Sequence, residues 1–197
     1  MAIEIIKIGR EELKQYAQIP IRFRVESVLR VDEIDHGLGG LKLSKEPVDK
    51  PYEKDYDSYE KDEDGPPANW LKHFDVSQWL FLMGYDGETP VGGAVVAFRS
   101  SKVNMLEGRD DLAGLWDIRV HPGYRGRGIG TALFDQAAVW ARKQGCKQLK
   151  AETQNINIRA CEFYAARGCH LGNINRYGYS NEPRVAHEVS LYWYLNL

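Results

Sequence analysis

The residues with the clearest chemical use form one glycine-rich run, Arg125-Gly126-Arg127-Gly128-Ile129-Gly130. The run follows an apolar stretch ending at Val120 and a turn signal at residues 121–123, and a helical pattern begins at Thr131. Glycine lets the backbone approach a ligand closely, and the first turn of a helix presents free N–H groups at the positive end of its dipole. A strand, a glycine-rich loop and a helix in this order therefore predict a cradle for phosphate or pyrophosphate.

Two common phosphate loops do not fit this run. A Walker loop requires Gly-Lys-Ser or Gly-Lys-Thr after four intervening residues, and the chain contains no such sequence. A dinucleotide fingerprint spaces its glycines G-x-G-x-x-G, whereas Gly126, Gly128 and Gly130 are spaced G-x-G-x-G. The run therefore indicates another class of phosphate-bearing ligand.

The elements around the loop are predicted from their periodicity and their end signals. The helix after the loop is predicted to end at Gly145, and a second, shorter helix to lie between an N-cap at Asn157 and Gly168. The first helix has an apolar face whose members recur at spacings of three and four: Ile129, Leu133, Ala137 and Trp140. Strands are predicted at residues 112–120, 148–153, 169–174 and 187–195.

The earlier part of the chain is predicted to contain a first strand, a short helix and a hairpin. The strand covers residues 3–8, the helix 11–17, and an extended segment follows at 21–25. The hairpin pairs residues 78–85 with 91–99 around Asp86-Gly87, and Gly92 and Gly93 indicate a bulge or a close backbone approach. Residues 44–68 are rich in acids, lysine, tyrosine and proline and lack apolar periodicity, so we expect an acidic loop insertion on the surface there.

Composition limits the class of protein. The 197 residues (22.5 kDa), 43% of them hydrophobic, fit one domain with a packed core. A formal net charge of −2 argues against a nucleic-acid partner, and the lack of a long apolar run or a signal-peptide pattern predicts a cytoplasmic protein without a membrane partner. Cys146, Cys161 and Cys169 lack metal-type spacing, so we expect no metal and interpret them as core or near-surface residues.

At the glycine-rich run the sequence resembles the GNAT superfamily of acyl-CoA-dependent N-acetyltransferases, whose pyrophosphate loop reads Arg/Gln-x-x-Gly-x-Gly/Ala. Arg125, Gly128 and Gly130 match the fixed positions, and Ile118-Arg119-Val120 corresponds to the end of the preceding strand. A second family segment, an Asn and then a helix with Ala-x-x-Phe-Tyr-x-x-x-Gly, is matched by Asn157, Ala160, Phe163, Tyr164 and Gly168. Within the superfamily the chain resembles the small-molecule branch, such as the streptothricin-type antibiotic acetyltransferases.

The resemblance implies a fold, a co-substrate and a set of binding residues. The fold is α/β of the α+β kind, with a mixed, mostly antiparallel sheet of six to seven strands that is splayed between its fourth and fifth strands and flanked by helices. Residues 1–197 are then one such domain with an insertion at about 44–68, and acetyl-CoA is the co-substrate. The residues that the resemblance places at acetyl-CoA are Ile118, Arg119, Val120, Arg125, Gly126, Arg127, Gly128, Ile129, Gly130, Thr131, Asn157 and Tyr164.

Acetyl transfer to an amine requires a neutral amine, a stabilised oxyanion and a protonated thiol leaving group. Tyr164 matches the family tyrosine that donates a hydrogen bond to the departing sulfur, and a phenol suits this role because its ordinary pKa lies above that of a thiol. Asp117, a carboxylate in an otherwise apolar strand, is the first candidate for the base that accepts the proton of the substrate ammonium. Glu152 on the following strand and water alone are the alternatives.

Three hypotheses of function follow. The first is an enzyme that acetylates a primary amine of a small molecule by direct attack in a ternary complex with acetyl-CoA. The second is an N-acetyltransferase acting on proteins or peptides, and the third is a binding module that senses acyl-CoA without turnover. The sequence names neither the amine nor the oligomeric state, and a homodimer stays open.

Overall fold

The computed structural model describes residues 3–59, Asp62 and residues 65–197. Its helices are α1 (Leu13–Tyr16), α2 (Pro67–His73), α3 (Ile129–Lys143) and α4 (Ile158–Ala166). The strands in the first half of the chain are β1 (Glu4–Lys7), β2 (Phe23–Glu33), β3 (Leu41–Lys54), β4 (Leu80–Asp86) and β5 (Thr89–Ala97). Those in the second half are β6 (Leu112–Val120), β7 (Gln148–Gln154), β8 (His170–Asn175) and β9 (Ser190–Asn196).

The chain folds into two compact units. The first contains the chain up to Arg22, then Asp55–Ala151 and Asn196–Leu197, and the second contains Phe23–Lys54 and Glu152–Leu195. Strand β7 therefore begins in the first unit and ends in the second.

Seven strands are hydrogen-bonded in the order β1, β4, β5, β6, β7, β9 and β8. The neighbours β1 and β4, β4 and β5, β5 and β6, and β8 and β9 are antiparallel, whereas β6 and β7 are parallel. This mixed, mostly antiparallel sheet with its helices confirms the fold class that the sequence predicts.

The core of the first unit fixes the strands on which the glycine-rich loop depends. Helix α3 buries Leu133, Phe134 and Ala137, and its first residue, Ile129, lies against β5. A Cβ on Gly92 would come within 2.8 Å of Ile129, and a Cβ on Gly93 would come within 2.3 Å of the Tyr16 ring. The close backbone approach predicted for the two glycines is thus confirmed, because the first lies against α3 and the second against the aromatic core.

The prediction of a loop at residues 44–68 is wrong for much of its length. Residues 44–54 belong to β3, which pairs with β2 in a separate two-stranded antiparallel sheet, and the C-terminal part enters α2. The ribbon is largely exposed, so it shows no alternation of apolar and polar residues, and Pro47 is tolerated because an edge strand need not donate every hydrogen bond. A cross-strand ion pair, Arg30 to Glu46 at 2.7 Å, supports the register. Four residues of the predicted insertion, 60, 61, 63 and 64, lie outside the described residues.

Candidate active site

Strand β6 has a β-bulge at Trp116, directly before the predicted site residues. Val95 of β5 pairs with Asp117, whereas the next residue, Val96, pairs with Leu115. A bulge bends its strand and re-aims the side chains around it. The parallel pairing of β6 with β7 ends at Leu115, although β6 continues to Val120. The end of the pairing at the bulge fits the predicted splay of the fourth and fifth strands.

The loop between β6 and α3 has the backbone geometry of an anion cradle. Gly126 and Gly128 have φ angles of 79° and 80°, which residues with a side chain rarely adopt. Gly128 is the N-cap of α3, and its carbonyl accepts a 3.0 Å hydrogen bond from the N–H of Ala132. The N–H groups of Ile129, Gly130 and Thr131 therefore have no partner within the helix. Together with the helix dipole, these donors can bind a phosphate group.

The two arginines of the loop have different contacts. The Arg125 guanidinium donates to the carbonyl oxygens of Val120 at 3.1 Å and Arg22 at 2.9 Å. It therefore links the loop to the end of β6 and to the segment just before β2. The exposed Arg127 lies over the ring of Tyr124, 4.8 Å from its centroid, and donates to the carbonyl of Gly123 at 3.3 Å. Both side chains are exposed, and they differ in that Arg125 is hydrogen-bonded to two backbone carbonyls outside the glycine run, whereas Arg127 contacts Gly123 and Tyr124.

A cavity of about 370 Å³ adjoins the start of α3. It is lined by Ile3, Ile5, Asp86, Arg127, Gly128, Ile129 and Ala132, which include three of the predicted acetyl-CoA residues.

Asp117, the predicted base, is buried and engaged in an ion pair. Its Oδ1 accepts from Arg119 Nε at 2.9 Å and its Oδ2 from Arg119 Nη2 at 2.7 Å. The hydroxyl of Tyr16 also donates to Oδ1. Although burial alone would lower it, the pKa of Arg119 is raised well above its usual range by the Asp117 carboxylate. Both oxygens of Asp117 thus already have donors.

Arg119 is held from a second direction by Asp57. Its Nη1 donates to Asp57 Oδ2 at 2.8 Å and to the carbonyl of Ile19 at 3.1 Å, and its Nη2 donates to Asp57 Oδ1 at 3.2 Å. Asp57 is placed by the 3₁₀ turn Tyr56–Ser58, whose N-cap, Asp55, accepts from the Asp57 N–H at 3.1 Å. All five donors of the guanidinium therefore have acceptors, so its side chain is not available to acetyl-CoA.

The sequence contains a local signal for part of this network. Asp117 and Arg119 are two residues apart on a strand, which places an acid and a base on one face. Sequence reasoning missed Tyr16 and Asp57, since they lie 101 and 62 residues away from their partners.

The second unit contains Tyr164 and Asn157 of the predicted site. Tyr164 lies in α4, is 4% exposed, and packs with its ring centroids 5.5 Å from Phe163 and 6.4 Å from Trp193. Asn157 is the N-cap of α4, and its Oδ1 accepts from the Ala160 N–H at 3.2 Å. The capping role predicted for Asn157 is confirmed, and its contact with acetyl-CoA stays a prediction.

Glu152, the alternative base, also lies in the second unit, where β7 leaves its pairing with β6. It follows Ala151, the last residue of β7 paired with β6. Its Oε1 accepts a 2.6 Å hydrogen bond from the hydroxyl of Tyr179, and Tyr192 also hydrogen-bonds to it. This carboxylate is partly buried, whereas Asp117 is buried, with 9% of its surface exposed.

The cysteines and acids give no second kind of site in the part of the chain that the structure describes. Cys146, Cys161 and Cys169 are buried and not disulfide-bonded, as predicted for structural thiols. Burial raises the pKa of Cys161 to about 12 and that of Cys169 to about 11, so both are poor nucleophiles at neutral pH. No group of three or more His, Cys, Asp or Glu residues among those described could hold a metal ion.

None of the described helices has the length and apolar character needed to cross a bilayer.

Comparison with known proteins gives a consistent picture. A family model described as the acetyltransferase (GNAT) family matches residues 45–169. A streptothricin acetyltransferase of Escherichia coli is 29% identical over 189 residues, 96% of this chain and 94% of that protein. A streptothricin acetyltransferase of Streptomyces lavendulae is 30% identical over 167 residues, 82% of this chain and 81% of that protein.

A solved structure extends the comparison to the fold. It is a Bacillus anthracis protein assigned as a streptothricin acetyltransferase and solved in complex with acetyl coenzyme A. It superposes with a TM-score of 0.73 at 24% identity, over 100% of this chain and 98% of that chain. At this identity the likeness shows a shared fold.

Proposed function

Because the chain belongs to the acetyltransferase (GNAT) family, we propose that it is a small-molecule N-acetyltransferase whose acceptor is an amine of a streptothricin-type antibiotic. Acetyl-CoA is the acetyl donor. The observation that carries the choice of acceptor is the likeness to named streptothricin acetyltransferases over most of the chain, beyond the cofactor motif. Acetylation of proteins or peptides has no comparable support among the full-length relatives described above.

The loop before α3 is the part of the chain that holds the pyrophosphate of acetyl-CoA. Its fit rests on the left-handed Gly126 and Gly128 and on the N–H groups of Ile129, Gly130 and Thr131. The backbone of Ile118, Arg119 and Val120, directly after the bulge of β6, contacts the remainder of the co-substrate. Acetyl-CoA supplies the thioester that the amine attacks.

Tyr164 donates a hydrogen bond to the sulfur as CoA leaves as a thiolate, and solvent water then protonates the thiolate. Its burial in α4 between aromatic neighbours holds the phenol in one orientation, which a donor to a developing charge requires. Because acyl transfer is faster when the leaving group is stabilised, this one contact contributes to kcat rather than to binding.

Asp117 is a positioning residue in this mechanism rather than the base. Its oxygens accept from Arg119 and Tyr16, so accepting a further proton would break the buried ion pair. The proton of the attacking amine passes to water, which, with Glu152, is one of the two alternatives that the sequence left open. The contacts of Asp117 therefore do not support the base role predicted for it.

The two compact units form one transferase domain. The segment that the family model matches starts in β3 of the second unit, passes through the first unit and returns to the second after Ala151. Thermal unfolding monitored by circular dichroism should give transitions with the same midpoint in the near and the far ultraviolet. Two separated transitions would contradict a single domain.

A cytoplasmic location and a homodimer stay predictions from the sequence.

The acceptor is tested by steady-state assays of CoA release with the purified chain. The acceptors are a streptothricin mixture and a peptide with a free N-terminus and one lysine, and mass spectrometry identifies the acetylated product. We expect kcat/KM for streptothricin to exceed that for the peptide by about 100-fold or more, within the range of working enzymes. A higher kcat/KM for the peptide would contradict the proposal, and binding of acetyl-CoA without release of CoA would identify a non-catalytic module.

A further inference from the structure

Two polar side chains of β7 lie on the same face at the point where the strand enters the second unit. Glu152 and Gln154 are two residues apart on the strand, which places them on one side of it. The hydroxyl of Tyr179 lies against both, 2.6 Å from Glu152 Oε1 and 2.7 Å from Gln154 Nε2. Neither Gln154 nor Tyr179 has a role in the mechanism above.

The direction of these hydrogen bonds follows from the donors available. The amide nitrogen of Gln154 can only donate, so the phenol oxygen of Tyr179 accepts from it and its single proton is donated to Glu152. Gln154 therefore donates to Tyr179, and Tyr179 donates to the carboxylate of Glu152. Burial, followed by the charge of Glu152, raises the pKa of Tyr179 far above its usual range, so the phenol keeps this proton.

A second phenol acts on the same carboxylate. Tyr192, from β9, hydrogen-bonds to Glu152, and burial followed by the charge of Glu152 raises the pKa of Tyr192 to about 12. Two phenols that remain protonated thus surround one carboxylate, and hydrogen bonds of this kind stabilise its charged form. A carboxylate oriented by two such donors is suited to pairing with a cation.

We propose that Glu152, oriented by Gln154 and Tyr179, binds a cationic group of the acceptor other than the amine that is acetylated. This inference rests on the proposed function. An ammonium held against a stabilised carboxylate keeps its proton, because the opposite charge favours the charged form, and only a neutral amine can attack the thioester. The enzyme therefore selects acceptors with at least two cationic groups and acetylates the one that Glu152 does not hold.

The position of Glu152 in the chain agrees with a role in binding. Glu152 directly follows Ala151, the last residue of β7 that pairs with β6, so it lies where β7 has left that strand pair, and it is only partly buried.

The test measures KM and kcat for streptothricin separately in Glu152→Gln and compares each with its wild-type value. We expect KM to rise about 30-fold, as for the loss of one charge-assisted hydrogen bond, while kcat stays within about threefold of wild type. Tyr179→Phe should raise KM by about threefold to tenfold, since the carboxylate loses its fixed donor. Tyr177→Phe is the matched control, because Tyr177 is in the same segment and 73% exposed, and its KM should equal that of wild type.

Two results would overturn the inference. An unchanged KM in Glu152→Gln would show that the carboxylate does not touch the acceptor, and a large fall in kcat at unchanged KM would identify Glu152 as the base. Unchanged acetyl-CoA affinity in each variant, measured by calorimetry, verifies that the variant is folded. A wild-type protein that releases no CoA with streptothricin would instead contradict the proposed function, so the two failures are distinguishable.

Discussion

Arg119 decides the role of its neighbour Asp117. A carboxylate inside an apolar strand has to face a partner, a cleft or water, and the sequence cannot distinguish these cases. In the structure Arg119 is 3% exposed and donates to Asp117, Asp57 and the carbonyl of Ile19, so the carboxylate faces a partner. A buried charge pair of this kind is costly to break, which makes Asp117 a poor proton acceptor during turnover.

The buried phenol of Tyr16 should make the stability of the protein depend on pH in the alkaline range. Burial, and then the Asp117 carboxylate, raises the pKa of Tyr16 well above 10.0, its value in an exposed tyrosine. This phenol therefore contributes stability that is fully present below its unfolded pKa and lost as pH rises above it, since only the unfolded chain releases the proton.

Tyr16→Phe removes this pH dependence. Above about pH 10 the free energy of unfolding of wild type should fall more steeply than that of Tyr16→Phe, by about 1.4 kcal/mol per pH unit. Denaturant titrations at a series of alkaline pH values provide the measurement. Parallel pH profiles for the two proteins would contradict a protonated phenol in the network.

Tyr164→Phe tests the leaving-group role at the same scale. Removal of one hydroxyl should lower kcat for streptothricin by about 100-fold, because the departing sulfur loses its hydrogen-bond donor, and should leave acetyl-CoA affinity nearly unchanged. Steady-state kinetics and calorimetry measure the two quantities. Wild-type kcat in the folded variant would show that Tyr164 is only a core aromatic.

At the scale of elements, the sequence predicts the strand, loop and helix around the site but not the bulge of β6. The strand, the glycine-rich loop and α3 were predictable because their signals are local: an apolar run, left-handed glycines and a helical period. The bulge at Trp116 has no such signal, since it depends on how Val95 and Val96 pair across the sheet. The ribbon of β2 and β3 was missed because it is exposed and polar, so the expected alternation is lacking.

Gly93 tests the packing of β5 against the aromatic core. A methyl group there would come within 2.3 Å of the buried Tyr16 ring, whereas at Gly84, on the neighbouring strand β4, its nearest neighbour would be 3.5 Å away. We expect Gly93→Ala to lower the free energy of unfolding by about 2 kcal/mol, and Gly84→Ala, the matched control, to change it by much less. Equal effects in denaturant titrations would show that the core yields to the extra methyl group.

At the scale of the whole molecule, the chain order explains why the site could be predicted only in part. The chain enters the second unit at Phe23, returns to the first at Asp55 and leaves it again after Ala151. Both motifs that the sequence predicts lie within short segments, residues 118–131 and 157–168. The contacts that orient the functional groups, such as those of Glu152 with Tyr179 and Tyr192, join segments that the chain order separates. Local patterns therefore locate the motifs but not their supporting networks.

The central claim is that the loop before α3 binds the pyrophosphate of acetyl-CoA, and a matched pair of variants at Gly128 tests it most directly. Asp and Asn are nearly equal in size, Gly128 has open space around it, and both residues experience the same left-handed backbone, so only the negative charge differs. Isothermal calorimetry should show acetyl-CoA binding to wild type and to Gly128→Asn within about tenfold of each other, and binding to Gly128→Asp weaker by at least about 30-fold, because like charges repel at short range. Equal affinity of the two variants would contradict a phosphate site at this loop, and so would a wild-type protein that does not bind acetyl-CoA.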